Sequence, residues 1–141
     1  MNGKYRGFYR YDNTRVQTSI GFDKTYFRID ITKDLENEFN GTVEDDLSSG
    51  GTPGIGRVVG KCQEGVISFI KQMPIASAIT VTGEKKTFNA RHPKIHYEGI
   101  ELEPGRFQGT WRIKFGFIFI GLIPVPVSRM SGKWEMTRSI G

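Results

Sequence analysis

One five-residue pattern, apolar-x-Gly-x-apolar, recurs at five uneven places in this chain: Tyr5-Gly7-Tyr9, Phe39-Gly41-Val43, Val58-Gly60-Cys62, Phe107-Gly109-Trp111 and Met130-Gly132-Trp134. Each instance has period two, the period of a strand. Glycine weakens a strand unless the sheet must bend sharply there, or a large neighbouring side chain needs the vacated space. Glycines set among aromatic residues on the same face of many strands therefore predict a strongly curled sheet. A small closed β-barrel satisfies that requirement.

Strand-like alternation bounded by turn chemistry occurs in eight segments, about 4–11, 25–32, 38–45, 55–63, 66–73, 94–100, 106–119 and 130–138. Lys33-Asp34-Leu35-Glu36-Asn37 reads as one turn, and Glu64-Gly65 as a tight one. Ser48-Ser49-Gly50-Gly51-Thr52-Pro53 cannot continue a sheet. Pro74 stops the fifth strand, and residues 75–89 suggest a short extra hairpin turning near Gly83-Glu84-Lys85-Lys86. No window of a dozen residues has helical periodicity. Eight antiparallel strands joined mostly by short connections are enough to close an up-and-down barrel that holds side chains or one small ligand. The expected fold is all-β, a single domain over residues 1–141 with strand order following sequence order.

Composition narrows the class. At 141 residues the chain is long enough to bury roughly two thirds of its unfolded surface. Cys62 is the only cysteine, which rules out an internal disulfide and any multi-thiolate metal site. The first residues, Met1-Asn2-Gly3-Lys4-Tyr5-Arg6, lack the apolar core of a secretory signal, so the expected setting is cytoplasmic. The net charge of +5 is scattered rather than gathered into runs, a pattern that chiefly favours solubility.

By its count of eight such strands the chain resembles at fold level the lipocalin and avidin-like barrels grouped as calycins, although where lipocalins carry an N-terminal G-x-W its first strand has Gly3-Lys4-Tyr5, and its Gly109-Thr110-Trp111 stands in the seventh. The resemblance implies a ligand cavity in the barrel mouth.

The residues themselves outline a site. The third strand puts Phe39, Gly41, Val43 and Asp45 on one face, the fifth puts Ile67, Phe69 and Lys71 in register, and the sixth carries Ile95 and Tyr97. If the aromatic faces point inward, a carboxylate, an ammonium and a phenol meet near Trp111 and Trp134. Polar groups in an aromatic cup are the usual make-up of a ligand site. Asp45 and Lys71 can equally pair with each other, in a structural role that satisfies the barrel end. Asp46, at the start of the loop, is expected to be solvated.

Other chemistry lacks support. His92 and His96 on an extended strand lie ~13 Å apart, too far to share one ion. Cys62 reads as a small apolar filler beside Gly60. There is no G-x-S-x-G elbow and no Ser-His-Asp spacing. The stretch Gly51 to Gly60-Lys61 lacks a hydroxyl residue where Cys62 stands, and no helix follows it, so it is not a phosphate loop. Asn40-Gly41-Thr42 matches a glycosylation triplet, which is without consequence in a cytoplasmic protein. The strand Lys114-Phe115-Gly116-Phe117-Ile118-Phe119 looks like the aromatic strand of RRM and cold-shock RNA binders. However, its first glycine is missing, and the helices an RRM needs have no sequence support. Nucleic-acid binding through Phe115 to Phe119 is accordingly disfavoured.

Residues 116–127 run without a charge, too short and too broken by proline to span a bilayer. Such a segment calls for cover by a second subunit through Phe117, Phe119, Leu122 and Ile123, by a ligand, by a membrane surface, or by folding back as a plug. The function expected from the sequence is noncatalytic binding of a small, mostly apolar or aromatic molecule in the barrel mouth. Phe39, Tyr97, Trp111 and Trp134 would form the walls, with Asp45 and Lys71 orienting the ligand. The alternative is an interaction or homo-oligomeric module using the 117–127 loop. The sequence points to no catalytic residue, metal or cofactor.

Overall fold

The computed structural model describes residues 1–74, 76–79, 85–88, 93–113, 116–120, 122–127 and 129–139. Eight strands form a closed antiparallel barrel: β1 (Gly3–Tyr11), β2 (Thr25–Leu35), β3 (Glu38–Asp45), β4 (Ile55–Gln63), β5 (Val66–Gln72), β8 (Ile95–Glu103), β9 (Arg106–Ile113) and β12 (Met130–Arg138). Each barrel strand pairs with the barrel strand that follows it in the chain, and β12 closes onto β1 with Tyr9 opposite Trp134. The remaining strands make two separate hairpins, β6 (Ala76–Ile79) with β7 (Lys85–Phe88), and β10 (Gly116–Ile120) with β11 (Ile123–Val127).

The glycine pattern has the basis the sequence suggested. Gly132 lies opposite Trp111, and a Cβ there would overlap the indole ring. Gly60 lies opposite Phe69 on one side and Phe39 on the other, and a Cβ there would overlap Phe69. Glycine on one strand thus makes room for an aromatic ring on the next, and the ring fills the curled interior. The result is a continuous core that includes Tyr5, Tyr9, Phe27, Phe39, Val58, Ile67, Phe69, Tyr97, Phe107, Trp111, Trp134 and Met136, all buried.

The up-and-down order makes the two ends of the barrel unlike. One end carries the tight turns at Glu36-Asn37, Glu64-Gly65 and Pro104-Gly105. Glu64 and Gly65 both adopt positive φ, 52° and 77°, the geometry that matches the twist of a two-residue hairpin. The opposite end, the mouth, receives all four long connections: 12–24, 46–54, 73–94 and 114–129.

Three elements differ from the expected pattern. A seven-residue helix, α1 (Thr14–Ile20), fills the first connection. Asn13 caps its N-terminus by accepting from the amides of Arg15 and Val16, and Gly21 ends it at φ 84°. It is too short to show in a dozen-residue window. β2 continues to Leu35 because a bulge between Ile31 and Lys33 shifts the register instead of ending the strand. The seventh expected strand divides: β9 ends at Ile113, and Gly116–Ile120 pairs with Ile123–Val127 as a hairpin of its own. Alternation runs unbroken through both parts, so periodicity could not reveal the change of partner. Of the other expectations, His92 and Phe115 lie outside the described residues, and for Phe117, Phe119 and Ile123 only backbone pairing is described.

Candidate functional site

The inward row of β3 ends at Asp45, and the inward row of β5, Ile67-Phe69-Lys71, brings Lys71 to the same height. β4 lies between the two strands, so the side chains meet across the curved interior rather than along one ladder. Lys71 Nζ lies 2.6 Å from Asp45 Oδ1, and the two side chains are 2% and 1% exposed. The Tyr9 hydroxyl donates to Asp45 Oδ2 at 3.1 Å, and the Thr52 amide donates to the same oxygen at 3.2 Å. Aromatic rings surround the ammonium: Nζ is 4.7 Å from the centre of Tyr9, 5.5 Å from Phe27 and 6.0 Å from Tyr97, within the range of cation–π attraction.

The 46–54 loop completes the cage. Asp46 caps a short 3-10 turn, Leu47–Ser49, by accepting from the Ser48 amide, and the Ser49 hydroxyl accepts from the Tyr26 amide. The Thr25 hydroxyl donates to the Ser49 carbonyl. These bonds fold the chain back so that Gly51 passes directly over Asp45, where a Cβ would overlap the Asp45 side chain. The loop therefore covers the carboxylate and delivers the buried Thr52 to it. Asp46 itself is exposed, as expected, while acting as the cap.

Burial and the Asp45 charge raise the pKa values of the surrounding phenols. Tyr11 is pushed up to about 12 by burial and then by Asp45. Tyr9 and Tyr97 are raised well above the usual phenol value for the same two reasons in the same order. The cage thus holds neutral phenols around one ion pair. Among the described residues no buried side-chain polar atom lacks a hydrogen-bond partner.

Of the six residues expected to line a site, Asp45, Lys71 and Tyr97 come together directly. Trp111 stands beside them, its ring 6.1 Å from Tyr9 and 5.1 Å from Tyr11, with its indole N–H donating to the Arg10 carbonyl. Trp134 packs one layer deeper, against Phe69 and Tyr97, and donates to the carbonyls of Glu98 and Thr110. Phe39 lies toward the tight-turn end, 6.1 Å from Phe69. Sequence reasoning missed Tyr9, Tyr11, Phe27 and Thr52. Tyr9 was visible as inward-facing through the Tyr5-Gly7-Tyr9 pattern, but its link to Asp45 spans 36 positions and depends on barrel closure. Thr52 had no signal beyond its place in a glycine-rich loop.

None of the described clefts is lined by Asp45, Lys71, Tyr9 or Tyr11, although Tyr97 borders one and Trp134 another. One of about 540 Å³ runs over β3, β4, β5 and β8, between outward residues such as Asn40, Val59, Ile70 and His96. Another of about 380 Å³ sits at the tight-turn end near Tyr5, Phe39 and Phe107. Cys62 is half-buried against the core. No helix among the described residues is long and apolar enough to cross a membrane. No protein-family model matches the chain, and no curated protein matches it.

Proposed function

We propose that the barrel binds a small, mostly apolar or aromatic molecule at its mouth, without catalysis. On this reading the chain is a calycin-like barrel, with which its eight-stranded antiparallel closure is compatible. The observation that carries the proposal is the position of the Asp45–Lys71 pair. A buried ion pair is seldom more stable than well-packed apolar side chains of the same volume, so stability alone does not account for one in an otherwise aromatic core. This pair stands at the end of the barrel where all four long connections gather. Above it Ile95 and Ile113, at 8% and 9% the most exposed members of the core, and the partly buried Tyr11 and Met130 offer apolar contact. Both side chains of the pair are covered, so on this reading Asp45 and Lys71 orient the ligand's polar end through the field of the buried pair rather than by contact. Tyr97 and Trp111 form the wall nearest the mouth, with Phe39 and Trp134 supporting it from the packed layers below.

The test is a fluorescence titration with anilinonaphthalene sulfonate, an aromatic amphiphile, on the folded protein. Saturable one-to-one enhancement that weakens in Tyr11→Ala, with the thermal transition retained, supports the mouth as the site. Enhancement that never saturates, or that Tyr11→Ala leaves unchanged, contradicts it.

A second reading rests on Leu122, which is 97% exposed at the turn between β10 and β11. An exposed leucine at the tip of an apolar hairpin suits self-association, and light scattering during size-exclusion chromatography of wild type and Leu122→Lys tests it. A dimer that Leu122→Lys dissociates supports this reading, and a wild-type monomer refutes it.

A further inference from the structure

The outer face of β1 and β2 carries an arrangement that the barrel's stability does not require. Arg6 lies directly opposite Arg28, and Phe8 directly opposite Tyr26. The next outward positions toward the mouth are Arg10 and Lys24, and on its other side Arg10 lies opposite Lys133. A cationic rung, an aromatic rung and a second cationic rung thus succeed one another along two neighbouring strands. Like charges directly opposite each other weaken a sheet, and here two such pairs flank one aromatic pair.

The neighbouring carboxylates neutralise only part of the array. Glu44 engages Arg28 at 3.2 Å, Asp12 engages Lys133 at 3.3 Å, and Glu135, opposite Phe8, is held by Arg106 at 2.8 Å. Arg6, Arg10 and Lys24 take part in none of the described ion pairs. Lys24 and Arg10 instead lie 4.2 and 5.8 Å from the centre of the Phe8 ring. Phe8 and Tyr26 meet edge to face at 6.3 Å, and although Lys24 Nζ also lies 5.6 Å from the centre of the Tyr26 ring, Tyr26 is 48% exposed and keeps ring surface for a flat partner.

We propose that this face binds single-stranded nucleic acid, with phosphates on the two cationic rungs and an unstacked base on the Phe8–Tyr26 rung. Same-face rungs repeat every ~7 Å along the strands, the scale of one unstacked nucleotide. Alternating positive and aromatic side chains are what a single strand requires: the cations follow its backbone and the rings accept bases of any sequence. A lipid surface fits less well, because the exposed aliphatic residues Val59, Val66 and Ile100 lie on other strands and Leu35, on β2, lies at the tight-turn end well beyond Arg28. A duplex keeps its bases stacked and gives the rings nothing to hold. The surface is distinct from the Phe115 to Phe119 strand and shares no residue with the mouth, so it stands or falls separately from the ligand-binding reading.

The test is fluorescence anisotropy of a labelled oligouridylate of roughly fifteen nucleotides, a length within the range of single-strand sites, titrated with the full chain at low and moderate salt. The expected result is saturable binding that weakens about tenfold or more between about 50 and 200 mM salt. Tyr26→Ala should weaken it about tenfold with little change in salt slope. Arg6→Gln with Arg28→Gln should lower the slope magnitude by about 0.7 for each phosphate that is no longer neutralised. The circular dichroism melt checks that each variant folds, and the charge variants, being exposed, carry the test if Tyr26→Ala does not. Four results overturn the proposal: no anisotropy change at tens of micromolar protein, binding indifferent to all these substitutions, equal competition by inorganic polyphosphate with Tyr26→Ala silent, or sedimentation with phosphatidylserine vesicles without oligonucleotide binding.

Discussion

Replacing Lys71 by Met removes the ammonium and keeps most of the side-chain volume. The ion it leaves behind is buried: the Asp45 side chain is 1% exposed and had its cation at 2.6 Å. Stranding one member of a buried pair costs about 3–5 kcal/mol. Because the Tyr9 hydroxyl and the Thr52 amide still donate to the carboxylate, the low end of that range, about 3 kcal/mol, is expected. With a urea m-value of about 2 kcal/mol/M, the unfolding midpoint followed by tryptophan fluorescence should fall by about 1.5 M. Asp45→Asn should also destabilise, by stranding the ammonium. The double variant should recover most of the loss, with a coupling of about 2–3 kcal/mol. Single losses below about 1 kcal/mol that simply add would refute the claim that one desolvated pair organises the mouth.

Other consequences are directly measurable. Tyr9, Tyr11 and Tyr97 all have raised folded pKa values, so the stability that their neutral forms contribute is complete below about pH 10 and is lost as pH climbs through the raised folded values, about 12 for Tyr11. A tyrosinate absorbance titration should therefore show three late phenols whose ionisation coincides with loss of the far-ultraviolet dichroism signal; ionisation of all the tyrosines near pH 10 with the barrel intact would contradict the cage. Gly132→Val places side-chain atoms where the Trp111 ring sits and should cost about 3 kcal/mol or more in chemical denaturation. A loss within about 0.5 kcal/mol would mean the glycine is not making room for the ring. Asn13→Ala removes the acceptor for two helix amides and should cost about 1 kcal/mol, seen as faster local amide exchange in α1 with the barrel strands unchanged.

How much could be read from the chain follows from the range of each interaction. Strand positions and faces are local, set by period two, and segments such as 38–45, 55–63 and 130–138 coincide with β3, β4 and β12. The glycine pattern also carried non-local information, because a missing side chain on one strand implies a large one on its neighbour: Gly132 with Trp111, and Gly60 with Phe69. Asp45 and Lys71 could be placed on inward rows and their pairing named as one of two outcomes, but its 2.6 Å geometry across β4 depends on barrel curvature, which no single strand encodes. The Thr52 amide is a backbone donor and leaves no mark in the residue pattern. The break after Ile113 was hidden because Gly116–Ile120 has the same alternation as the barrel strand before it, and only its partner differs. The cation and aromatic rungs of β1 and β2 were present as Arg6, Phe8 and Arg10 beside Lys24, Tyr26 and Arg28, but their meaning depends on the register that puts Arg6 opposite Arg28.

The most direct test of a ligand-binding mouth is native mass spectrometry of the protein as purified, repeated after mild denaturing extraction. The account predicts a small organic molecule bound one to one, released on unfolding, and retained less well by Tyr11→Ala than by wild type. A protein that carries no such molecule, and that binds no anilinonaphthalene sulfonate in a saturable way, would contradict it.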